Sequence, residues 1–145
     1  MKRVSLLAAL LTFALAGCAQ FYLLFGKASN ETPVVVVAGG MVKAVEPDPL
    51  RFKRGNTDVT ITWQLDSAYR FAANGIVIDG ETTRDPKGKP EPRQAEIVNC
   101  ERQSNTRFTC LNRNTRPGTY KYTVRIETAD GKPLPPLDPS IFNMP

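Results

Sequence analysis

The chain is predicted to be all-β, an antiparallel β-sandwich stapled by one disulfide. Three observations predict it. Two long runs alternate apolar and polar residues with a period of two, and 12 prolines and 10 glycines punctuate 145 residues at short intervals. Two cysteines, Cys100 and Cys110, flank a polar turn between strand-like runs. No segment shows a sustained 3.6-residue apolar period.

The elements follow in order. Val34 to Val37 is a β-branched run, broken by Gly39-Gly40 and followed by an extended piece closed by Pro47 and Pro49. "DVTITWQL" (58–65) is the clearest strand: Val59, Ile61, Trp63 and Leu65 alternate with Thr60, Thr62 and Gln64. "GIVIDG" (75–80) is expected to follow a turn at Asn74-Gly75, and "RDPKGKPEPRQ" (84–94) is a charged, proline-rich loop. "GTYKYTVRIETADG" (118–131) puts Tyr120, Tyr122, Val124 and Ile126 on one face and Thr119, Lys121, Thr123, Arg125 and Glu127 on the other. The tail "KPLPPLDPSIFNMP" (132–145) is too rich in proline for a central strand, and its "PLPP" reads as a stiff segment.

The cysteine pair is narrowed by elimination. Zinc needs four N, S or O ligands, and two distant thiols in a chain without histidine do not supply them. A redox couple needs C-x-x-C spacing, and a catalytic thiolate needs a base. A disulfide remains. "AEIVNCE" (95–101) and "RFTCLN" (107–112) form a hairpin, and pairing Gln103 with Arg107 across a three-residue loop places Cys100 opposite Cys110. Such a bond belongs to an oxidising compartment.

The N-terminus agrees with that compartment. Lys2 and Arg3 precede an apolar run from Val4 to Ala16 and small residues before Cys18, the pattern of an export signal. "LAGC", Leu15 to Cys18, resembles the lipobox of bacterial lipoproteins. That resemblance implies cleavage before Cys18, lipidation of Cys18 and, with Ala19 rather than aspartate next to it, anchoring in the outer membrane with the body facing the periplasm. A second reading takes Val4 to Phe25 as one 22-residue membrane span, with the same topology. The expected organisation is a signal peptide at 1–17, a lipidated tether at 18–33 and a sandwich domain at 34–145 with a proline-rich tail. A tether carrying several acyl chains is held stably, since each buried methylene contributes about 0.8 kcal/mol.

Short strands at this spacing suit a sandwich of immunoglobulin-like or cupredoxin-like kind. "PGTYKYTV" (117–124) resembles the late strand of cupredoxins, and with "VTITWQL" and "LDPSIFN" the chain is similar to small cupredoxin-like proteins of proteobacteria over residues 34 to 143. The copper-binding members need histidine, cysteine and an axial ligand. With no histidine and no cysteine in that strand, the resemblance implies the fold and no copper residue, no cofactor and no metal.

Catalytic constellations are scarce. Absence of histidine excludes Ser/His and Cys/His arrangements, Ser29, Ser67, Ser104 and Ser140 fit no nucleophile motif, and no phosphate loop is present. Glu46 with Asp48 and Asp79 with Glu81 can serve as acid pairs, but each sits beside Pro or Gly and reads as part of a turn. The net charge of +5 falls to +3 without Lys2 and Arg3, far from a nucleic-acid footprint. Between Arg93 and Arg125, however, Arg93, Arg102, Arg107, Arg113, Arg116, Lys121 and Arg125 stand against only Glu96 and Glu101. They are either a face for an anionic surface or a solvated charge set that keeps sheet edges unpaired. The expected function is a non-enzymatic lipoprotein presenting a binding domain to a protein or anionic envelope partner. The alternatives are a subunit of a secretion or assembly machine, or an inhibitor of an envelope hydrolase.

Overall fold

The two runs with the cleanest alternation form inner strands of two different sheets. A computed structural model describes residues 26–81 and 94–145, and among these it contains nine strands and no helix. They are β1 (Val34–Ala38), β2 (Met41–Glu46), β3 (Leu50–Phe52), β4 (Val59–Leu65), β5 (Tyr69–Glu81), β6 (Ile97–Ser104), β7 (Arg107–Asn112), β8 (Gly118–Thr128) and β9 (Ser140–Asn143). One sheet has the order β2-β1-β4-β7-β6, the other β3-β9-β8-β5. The architecture is an all-β sandwich, as expected. The sheets are mixed rather than purely antiparallel: β1 pairs with β4 in parallel, and so does β3 with β9.

Alternation becomes burial because a strand turns successive side chains to opposite faces. Val59, Ile61, Trp63 and Leu65 face inward from one sheet, and Tyr120, Tyr122, Val124 and Ile126 from the other. Each such side chain contributes about 1.5–3 kcal/mol when fully buried. The inner faces meet edge-on at Trp63 and Tyr122, whose ring centroids lie 5.4 Å apart at 62°, and the indole Nε1 donates to the Tyr122 hydroxyl at 3.3 Å. Burial pushes the Tyr122 phenol well above its ordinary pKa. Phe71 on β5 and Phe108 on β7 make a second aromatic contact between the sheets at 5.7 Å.

The disulfide forms between Cys100 and Cys110, with Cα atoms 4.1 Å apart. The hairpin around it differs from expectation. Ser104, not Gln103, pairs with Arg107, so only Asn105 and Thr106 form the turn. A register shift between Arg102 and Ser104 absorbs the extra residue, and a second lies between Val98 and Glu101, where Asn99 has φ 53°.

Two further elements depart from the sequence reading. Asn74-Gly75 does not separate strands: it sits in a bulge within the 13-residue β5, whose pairing with β8 jumps from Phe71 to Ile76. The C-terminal residues 140–143 are an inner strand, lying between β3 and β8. The prolines stop short of them, and the proline-rich residues 133–139 run extended along β8, with Leu134 N donating to Ile126 O and Val124 N to Leu137 O. Pro135 O also accepts from Val42 N, at 3.5 Å, linking this segment to the other sheet's edge. The last residues of the expected tether are bound to the fold as well: Thr62 N donates to Glu31 O at 2.8 Å, Gln64 N to Pro33 O at 2.9 Å and Arg51 N to Asn30 Oδ1 at 2.9 Å.

Candidate functional site

Cys18, Arg93 and the loop over 84–93 lie outside the described residues. The six remaining basic residues of the candidate face are not brought together. On β7, Arg107 alternates with buried Phe108 and therefore projects from the outer face of its sheet, whereas Lys121 and Arg125 on β8 project from the outer face of the opposite sheet. Arg113 lies just beyond the far end of β7 from Arg107, about 20 Å away at strand spacing.

Three of the six are tied into the fold. Arg102 Nη1 donates to Phe71 O at 3.1 Å, joining the edge of one sheet to the edge of the other. Lys121 Nζ donates to Asp138 O at 3.3 Å. Arg116 lies 3.6 Å from Glu96, a carboxylate only 3% exposed. Glu96 accepts from Thr115 N at 2.7 Å and Thr115 Oγ1 at 2.8 Å, and from Arg116 N at 3.3 Å. Burial alone raises its pKa, but those hydrogen bonds and the Arg116 charge outweigh it and hold the carboxyl below its ordinary value. This node pins the β7–β8 link to the start of β6. Its role is structural.

Asp48 and Asp79, one from each acid pair considered from sequence, take structural partners. Asp48 Oδ1 accepts from Ser140 N at 3.1 Å in the link between β2 and β3, and Asp79 lies on β5, where it accepts from Thr123 Oγ1 at 3.1 Å. Among the described residues no three of histidine, cysteine, aspartate and glutamate gather as a metal set.

A concave site does exist, at the β5 bulge. Residues 72–75 have no partners on β8, and Arg125, between Val124 and Ile126, has none on β5. The gap opens a cavity of about 370 Å³ between the bulge, β8 and the proline-rich segment. Ala72 and Leu134 supply its apolar surface, Pro133 and Pro136 one wall, and Arg125 a charged rim. Glu127 lines it too, but Arg70 Nε binds this carboxylate at 2.9 Å. No hydrogen bond or ion pair within the described residues occupies the exposed Arg125 guanidinium. Sequence reasoning named Arg125 for its charge and missed the groove. The one available signal was Asn74-Gly75, which it read as a turn.

No family model matches the chain, and no significant match exists to a curated protein or a solved structure.

Proposed function

We propose that the chain is a non-enzymatic lipoprotein of the bacterial outer membrane, anchored through acyl chains on Cys18, whose sandwich faces the periplasm and binds a protein partner. The observation that carries this reading is the Cys100–Cys110 disulfide, which suits an oxidising compartment to which a leader ending in Leu15-Ala16-Gly17, cleaved before Cys18, would deliver the chain. Dispersal of Arg107, Arg113 and Arg125 over separate parts of the surface favours a protein partner over a broad anionic surface. Labelled palmitate is expected on the wild-type protein and absent from Cys18→Ala, with the label in the outer-membrane fraction. Equal labelling of the mutant, or an unlabelled cytosolic protein, would end the proposal. Crosslinking in intact envelopes identifies the partner.

A further inference from the structure

We infer that the groove beside the β5 bulge receives the C-terminal carboxylate end of a polypeptide, with its last apolar side chain inside and Arg125 paired to the carboxylate. The inference rests on the reading of the domain as a protein-binding module and is independent of the lipid anchor.

Size comes first. About 370 Å³ lies near the lower end of the range for ligand cavities, enough for one or two residues and not for a long chain. Inside, half-buried Ala72 and Leu134 offer an apolar surface for one side chain. Pro133 and Pro136 stiffen the wall, so little ordering entropy is lost when the groove fills.

Charge selects the end group. Arg70 neutralises Glu127, which leaves Arg125 as the uncompensated charge among the described residues at the rim, and a guanidinium presents paired donors that match a carboxylate. A single cation flanked by a neutralised pair suits a monoanion. The reading of the domain as a protein-binding module selects a peptide over an acyl chain, and the bulge, where residues 72–75 and Arg125 have no partners across the β5–β8 ladder, is where that end would lie. Bulges of this kind interrupt pairing next to functional sites in other sheets.

The test is a titration of the full chain, in lipid nanodiscs, with N-acetyl-Leu-Leu and with its C-terminal amide, read by amide chemical shifts. Shifts are expected at Ala72–Gly75, Arg125–Glu127 and Leu134, with the acid bound roughly tenfold more tightly than the amide. Arg125→Gln should abolish that preference while the rest of the spectrum stays in place, and Leu134→Asp should abolish binding of both probes. Arg125→Lys, which keeps the charge but not the fork, should retain part of the preference. Shifts confined to other parts of the domain, no shift at millimolar probe, equal binding of acid and amide, or a preference that survives Arg125→Gln would each overturn the assignment. Tighter binding of decanoate than of the dipeptide would also overturn it, in favour of an acyl ligand. If crosslinking in envelopes captures a partner equally from wild type and Arg125→Gln, the groove fails and the binding module stands.

Discussion

Asn112 on β7 and Asn143 on β9 exchange two hydrogen bonds across the sandwich: Nδ2 of Asn112 donates to Oδ1 of Asn143 at 2.8 Å, and Nδ2 of Asn143 returns the bond at 3.1 Å. Both side chains are fully buried. The pair joins the two sheets where the C-terminal strand ends, and Asn112 Oδ1 also accepts from Asn114 N at 3.0 Å. Asn114, at φ 48°, in turn donates to Lys53 O and Asn56 O, so one buried polar chain ties the β3–β4 and β7–β8 links together.

Breaking this pair from one side leaves buried polar atoms without partners, at about 1–3 kcal/mol for each stranded group. Asn143→Leu is expected to destabilise by about 2–3 kcal/mol, and Asn112→Leu by more, because it also releases Asn114 N. The double substitution should cost less than the sum of the singles. Urea unfolding of the three variants, with the m-values compared, measures this.

The disulfide closes a loop of 11 residues, Cys100 to Cys110, and is expected to stabilise the domain by about 2–3 kcal/mol. Cys100→Ser/Cys110→Ser should lower the urea midpoint accordingly, and dithiothreitol should then have no further effect. Free-thiol titration in denaturant without reductant should read zero for these two cysteines in the wild type.

Glu96 sets an acid limit. Its folded pKa lies below the ordinary value of 4.5, so its stabilisation is present in full above that value and is lost as pH falls through the folded pKa. Glu96→Gln should therefore unfold with a shallower dependence on pH below about 4.5 and be less stable at pH 7 by about 1–3 kcal/mol, since an amide N–H would replace one of the acceptors for Thr115. Thermal midpoints between pH 3 and 7 test the sign.

Basic residues should separate by role. Arg102→Ala loses the hydrogen bond to Phe71 O that joins the two sheet edges and should cost about 1 kcal/mol, while Arg107→Ala, exposed on an outer face, should fall within about 0.5 kcal/mol of wild type. Equal costs would show that the Arg102 bond contributes nothing.

The strands with strong alternation were legible residue by residue, as at Val59–Leu65 and at Tyr120–Ile126, because the side-chain period is a property of the local backbone. The Cys100–Cys110 pairing was legible too, since a hairpin brings near neighbours together. The turn residues within it were not. A bulge moves an extra residue into one strand without changing the apolar pattern that flags the strand. Asn74-Gly75 misled for the same reason: the dipeptide that closes a tight hairpin also serves a bulge, and only the partner strand distinguishes them.

By itself the sequence determined an all-β body, its best strands, its disulfide and the absence of histidine chemistry, all of which depend on residue identity and short-range spacing. Only the tertiary structure decided that β9 lies inside its sheet, that the arginines scatter over opposite faces, and that a groove opens beside Arg125. Those outcomes depend on which distant strands pair and in what register, and the free energy that selects them comes from burying both sheets against each other at once, not from any local run of residues.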